Sequence, residues 1–288
     1  MSENKALEDS SKYIDEMRSW LNQQPHLPKN IEDKMLLRFV HSCYYDVDKA
    51  KAAVESFLNI RLNCADLLNN RDPMSAEIQK TMSIVNLAQI EAANNQYIWM
   101  WQLNDPGLEI YDYVKDARYF FLASDAYFLH NSEFPDADIV ILDVKDLSLK
   151  FLTKFNISVA KKLSKYQEDA MPIRLKQVHL INAPSTIDKI FGLLKPFMKK
   201  EITELIHFHP PNSQTLFNFI DKADLPADYG GTRPSMAEQN KDIVAIIMSK
   251  RKELMDDTLW RAIPTEKKNK SSNNNIAPVP SFRSLAID

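Results

Sequence analysis

Residues 172–210 read PIRLKQVHLINAPSTIDKIFGLLKPFMKKEITELIHFHP. Two short apolar runs, Val178-His179-Leu180-Ile181 and Leu205-Ile206-His207-Phe208, flank about 20 residues with helical patterning. Strand, crossover helix, strand is the unit of a parallel sheet. With Ile187 as zero and 100° per residue, Ile190, Phe191, Leu194, Phe197, Met198, Ile202 and Leu205 fall within about 80° of one direction. Asp188, Lys189, Lys195, Lys199, Lys200, Thr203 and Glu204 lie outside that stripe. Gly192 weakens the helix, and Pro196 removes a backbone hydrogen bond and predicts a kink. Periodicity alone favours a core helix lying on the sheet, with its basic residues in solvent.

The alternation continues outward. Upstream, Tyr97–Leu103 and Asp138–Val144 read as strands, the second apolar on both faces and therefore central. Helices are expected over 110–131, a stretch rich in Tyr and Phe, over 155–168, and over 235–256. Leu225-Pro226-Ala227-Asp228-Tyr229-Gly230-Gly231 is a compact turn. Towards the N-terminus, residues 1–9 read as a frayed end. Three short helices are predicted over 11–22, over 31–43 and from a cap at Asp46, and a further helix is predicted from Asp72-Pro73. The fold expected is α/β, with an N-terminal helical bundle over 1–75, an α/β domain over 76–256 and an unstructured tail over 257–288.

Composition excludes several function classes. Only four glycines occur in 288 residues, Gly107, Gly192, Gly230 and Gly231. A phosphate-cradling loop of the P-loop or Rossmann kind needs several close together, so no nucleotide cofactor is expected. A net charge of −3 and the lack of a basic, aromatic-interleaved stretch argue against nucleic acid. Cys43 and Cys64 have no metal-ligand spacing and read as free thiols in a reducing compartment. The polar start MSENKALEDSSK has no signal-peptide core, and no apolar run approaches the ~18 residues of a membrane span, so a cytoplasmic protein is expected. His179, His207 and His209 cluster near strand ends without a third-ligand pattern and read as satisfied polar residues, with no metal. Asp143 and Asp146 read as a turn rather than an acid/base pair. No G-x-S-x-G or H-E-x-x-H pattern occurs, so catalysis finds no support.

Several separated motifs resemble the CRAL-TRIO lipid-transfer family. They are Leu36-Leu37-Arg38-Phe39 with Asp46-Val47-Asp48-Lys49-Ala50, Asn156-Ile157-Ser158-Val159-Ala160-Lys161-Lys162, the 172–210 stretch with His179-Leu180-Ile181-Asn182-Ala183-Pro184, and Leu225-Pro226 with Tyr229-Gly230-Gly231. The resemblance covers about 30–255. It implies a small hydrophobic ligand in an apolar cavity, exchange during transient contact with membranes, and a mobile gate formed by the crossover helix. Carried over position by position, it implies ligand contacts from Phe120, Ser124, Leu142, Leu147, Leu163, Tyr166 and Val178 in the body. Ile187, Ile190, Phe191, Leu194 and Met198 would contribute from the gate. For each aliphatic residue, plain core packing is the alternative. Ser124 and the Tyr166 hydroxyl would orient one polar group. Arg174 and Lys176 match two positions at which some members bind phosphoinositides. At the family's further basic positions this chain has Glu201, Leu205, His41 and Cys43. A lipid-sensing regulatory or adaptor role without net transfer stays open beside carriage.

Overall fold

The computed structural model describes residues 3–264, and side chains from residue 10 onward. The described residues fall into two compact units: 3–65, 165–173 and 258–264 in one, 66–164 and 174–257 in the other.

The first unit is helical. It contains α1 (Glu3–Asn22), α2 (Asp33–Ser42) and α3 (Val47–Asn63). Helix α1 begins well before the residue-11 start expected from its apolar spacing. Asp46 caps α3 as expected, accepting from the Lys49 amide at 3.1 Å. Phe57 centres an aromatic cluster, with ring centroids 5.3 Å from Phe39, 5.8 Å from Tyr166 and 5.9 Å from Trp260. Arg61, with no exposed surface, lies 4.9 Å from the Phe57 ring and 5.6 Å from Trp260, a cation–π arrangement that accommodates a buried guanidinium. The Ala262 and Ile263 amides donate to the carbonyls of Leu58 and His26. The stretch 258–264, placed in an unstructured tail from the sequence, is therefore tied down, with Trp260 and Ala262 both buried; the polar run that suggests a tail begins only after Pro264. The rest of that expected tail lies outside the described residues.

The second unit is built on one mixed sheet. Its helices are α4 (Ala65–Leu68), α5 (Ala76–Met82), α6 (Tyr113–His130), α7 (Phe151–Lys154), α8 (Ile157–Asp169, continuing into the first unit), α9 (Ile187–Leu194), α10 (Lys200–Thr203), α11 (Met236–Ser249) and α12 (Arg251–Leu254). Its strands are β1 (Val85–Ala92), β2 (Gln96–Leu103), β3 (Ala137–Asp143), β4 (Leu175–Ile181) and β5 (Ile206–Phe208). They lie in the order β1-β2-β3-β4-β5. Strands β2 to β5 are parallel, and β1 pairs antiparallel with β2. Strand β1 was not expected. Asp72-Pro73 does not start a helix either; Ser75 caps the shorter α5 instead.

The sheet has two unlike faces. On one, Ile98, Met100, Ile139, Ile141 and Ile181 pack against Leu216, Ile220, Leu225 and Met236 in a continuous buried cluster. The segment that covers it is held by the 225–231 turn. The Tyr229 hydroxyl donates to Asp143 Oδ2 at 2.8 Å and accepts from Gln102 Nε2 at 2.8 Å. Asp143 also accepts from Asn182 Nδ2 and the Lys145 amide, while Asp146 accepts from the Asp105 amide. A Cβ on Gly231 would lie 1.8 Å from the Leu225 carbonyl oxygen, so only glycine fits there. The β4–β5 crossover is more than kinked. After α9, residues 195–197 form a 3-10 turn, Met198 is extended (φ −103°, ψ 142°), and α10 starts afresh. Pro196 in that turn cannot continue the α-helical ladder.

Candidate functional site: the open apolar face

The other sheet face is the candidate site. Register places Trp99, Val140, Val178 and Ile206 side by side in one row, and Trp101, Leu142, Leu180 and Phe208 in the next. Central strands of a parallel sheet are ordinarily buried on both faces. Here every member of the two rows except Leu180 stays half-buried, although on β2 and β3 the neighbours on the opposite face, Ile98, Met100, Ile139 and Ile141, are buried. The burial patterns of β2 and β3 alternate for this reason.

Helix α6 presents one stripe to this face. Asp116 accepts from the Trp101 indole N–H at 3.2 Å, and the Tyr127 ring meets Trp99 edge-on at 4.4 Å. Phe120 lies between them on the same stripe at helical spacing. Ser124 sits at its margin, nearly buried. Of the residues implied by resemblance, Leu142, Leu147, Val178 and Ile187 come together with Val144, Leu180, Ala183, Ile206 and Phe208. Ile190 is 2% exposed, and Phe191 meets Phe208 edge-on at 5.2 Å. Leu163, Leu194 and Met198 are half-buried. Tyr166 belongs to the other unit, where its ring packs on Phe57. At the start of β4, Arg174 has a 10% exposed side chain, with its guanidinium 3.9 Å from Asp136. Lys176 is exposed.

The crossover is held unevenly over this face. Ile187 and Ile190 anchor the first turns of α9. Past Gly192, whose Cβ position is open for 4 Å around, Leu193 is 37% exposed. The 3-10 turn is fastened to α8 by Ser164, which donates to the Phe197 carbonyl at 2.6 Å, and by Lys161, 5.3 Å from the Phe197 ring.

Comparison with known proteins agrees with this architecture. Residues 113–231 match the family model described as "CRAL/TRIO domain". Residues 6–78 match "Pinta-like, UBA domain". The chain carries a CRAL/TRIO domain. It is similar to the human protein named alpha-tocopherol transfer protein-like, at 23% identity over 210 residues, 73% of this chain and 61% of that protein. It thus spans about three-fifths of that relative's length. Rat clavesin-1 is 33% identical over 96 residues, 33% of this chain and 27% of its own. The crystal structure of Sfh5 superposes with a TM-score of 0.51 at 12% identity, covering 85% of this chain and 98% of that one, a likeness of fold.

Three features of the CRAL/TRIO domain escaped the sequence reading. The first is Asp116, an acid on the inward stripe of α6. The Tyr111 hydroxyl also donates to it, at 3.0 Å. Burial raises its pKa from 3.8 to about 6, against the lowering effect of the Trp101 and Tyr111 hydrogen bonds. The second is a polar cleft of about 570 Å³ at the C-terminal ends of β2, β3 and β4, lined by Gln102, Asp143, Lys145, Asn182, His209 and Tyr229 among others. Asp143, Gln102, Asn182 and Tyr229 are committed there to the bonds described above.

The third is how the histidines are connected. His179, fully buried, has Nδ1 2.9 Å from His209 Nε2 and Nε2 3.4 Å from Gln177 Oε1. His209 Nδ1 lies 2.7 Å from the Thr215 hydroxyl. Because Gln177 Oε1 only accepts, His179 Nε2 carries its proton, and the chain then runs one way: Thr215 donates to His209, His209 to His179, His179 to Gln177. His207 stacks on His179 at 5.1 Å, and Phe219 covers all three rings. Both nitrogens of His179 and of His209 are thereby engaged within the protein. Among the described residues, no group of three or more His, Cys, Asp or Glu side chains is placed to hold a metal ion.

Proposed function

We propose that this chain encloses one small hydrophobic molecule between the open sheet face, α6 and α9, and exchanges it at a membrane surface. The observation that carries this reading is the pair of half-buried apolar rows at the centre of the sheet. Apolar surface left uncovered inside a folded unit is surface for an apolar guest. Covering ~300 Å² of it would contribute about 7 kcal/mol before the costs of association. CRAL/TRIO domains as a family of lipid-binding transfer proteins support the same class of guest.

The crossover acts as the gate in this proposal. Its first half is anchored by Ile187 and Ile190, and its second half is broken at Met198, tied to α8 through Phe197 and seated again at buried Ile202. Displacing the stretch from Phe191 to Met198 uncovers part of the rows, at Phe208, while Ile187 and Ile190 keep their places. Leu193 and Phe197 then meet lipid, which offsets the lost contacts. The work is carriage rather than bond chemistry. No described helix is long and apolar enough to cross a membrane.

The test is extraction of the purified protein with organic solvent, identification of bound lipid by mass spectrometry, and transfer between donor and acceptor vesicles. A bound lipid and accelerated transfer are expected. Binding without acceleration would leave a sensor or adaptor instead, and a chain that takes up no apolar molecule would overturn the proposal.

A further inference from the structure

Asp116 stands apart from the rest of the open face. It is the acid on a stripe otherwise occupied by Phe120, Ala123 and Tyr127, and Trp101, its partner, sits beside Leu142 in the sheet register. No cation pairs with it among the described residues; its carboxylate receives only the Trp101 indole and Tyr111 hydroxyl donors. A carboxylate has about four acceptor positions, so roughly two remain. Asp116 is half-buried, so the residue is not sealed in the core. A partly desolvated carboxylate without a cation still carries a cost, and a fold that only needed to anchor Trp101 and Tyr111 could use a neutral acceptor. Along α6, Ser124 lies two turns away, ~12 Å further at 1.5 Å per residue, with aromatic and aliphatic side chains between.

We propose that Asp116 marks the polar pole of the apolar site and selects a lipid whose head group donates a hydrogen bond and carries no negative charge. An alcohol or an ammonium meets that description; a carboxylate or phosphate is repelled. The inference rests on the carriage reading above and narrows its ligand class. The raised pKa is consistent with it: the group is ionised at neutral pH but held at a cost that a donor relieves.

The experiment uses the full chain in equilibrium dialysis against hexadecanol, hexadecylamine, palmitate and hexadecane. At about pH 7.5 hexadecanol and hexadecylamine are expected to bind at least ~10-fold more tightly than palmitate, and Asp116→Asn to erase that difference. Asparagine offers one carbonyl oxygen to two donors, so Asp116→Asn is also measured with Tyr111→Phe, which removes the surplus donor. Palmitate binding as well as hexadecanol to the unaltered protein overturns the inference and leaves carriage standing. So does discrimination that survives both variants. No uptake of any of the four overturns carriage and this inference together.

Discussion

His179 Nδ1 lies 2.9 Å from His209 Nε2, a ring-to-ring hydrogen bond that ties β4 to the residue just beyond β5. Both rings are buried. A proton added at His179 Nδ1 meets the His209 Nε2–H head-on, whereas one added at His209 Nδ1 requires the Thr215 hydroxyl to turn from donor to acceptor.

Acid therefore destabilises this region. Burial, then the neighbouring His209 and His207, lower the His179 pKa from 6.5 to about 3, and His209 shifts the same way. Between those two values the unfolded chain binds the proton and the native chain does not, so stability falls as pH drops below about 6.5. The loss from His179 is roughly 2 kcal/mol by pH 5. Asp116 works oppositely: its raised pKa makes the native state the better proton binder, so it adds stability as pH falls through about 6. Urea unfolding at about pH 7.5 and about pH 5 isolates the histidine contribution by comparison with His179→Gln. A His179→Gln variant losing as much stability as the parent would refute this assignment.

Phe191 contacts Phe208 from α9 and is only half-buried. Phe191→Asp is expected to abolish lipid loading, because a charge in a dry apolar site is costly, while the circular dichroism spectrum is kept. Ile190→Asp, at a fully packed position, is expected to unfold the crossover as well.

Tyr229 bridges Gln102 and Asp143 through one oxygen. Tyr229→Phe should cost about 1–3 kcal/mol in urea unfolding, since it leaves the Gln102 amide and one Asp143 oxygen short of a partner. Lipid affinity should stay within a factor of two or so, as the bridge serves the packed face of the sheet.

Two glycines should respond in opposite ways. Gly231→Ala drives a methyl into the Leu225 carbonyl and is expected to prevent stable folding. Gly192→Ala meets nothing and should stabilise α9 by roughly 0.5–1 kcal/mol, slowing lipid exchange in a vesicle assay.

Lys176 is exposed, whereas Arg174 has little exposed side chain and lies near Asp136. Lys176→Ala is expected to weaken sedimentation with anionic vesicles more than Arg174→Ala does. The reverse order would return the rim role to Arg174.

The parallel strands, the aromatic helix α6 and the crossover were legible because each carries a run or stripe of large apolar residues. Strand β1 was not: Val85, Leu87, Gln89 and Glu91 alternate with Asn86, Ala88 and Ile90, a pattern in which neither face is cleanly apolar. The clue was Asn94-Asn95, both at positive φ (60° and 55°), where a hairpin turn is most easily made. Asp116 was illegible because an acid in a helix ordinarily faces water; only its partners, Trp101 from β2 and Tyr111 from just ahead of α6, turn it inward. At Tyr166, which by resemblance matches a ligand-contact position, the ring packs on Phe57.

The two unlike faces of the sheet divide labour in a way that bears on divergence. Interlocked side chains on one side, with the Tyr229 bridge and the Gly231 turn, hold the strands in register. Residues on the opposite side are excused from that duty. Under the proposed carriage, substitutions among Trp99, Val140, Val178 and Ile206 would therefore reshape the guest's outline while drawing little on the fold's narrow margin of stability. One scaffold can in this way be retuned for lipids of different shape.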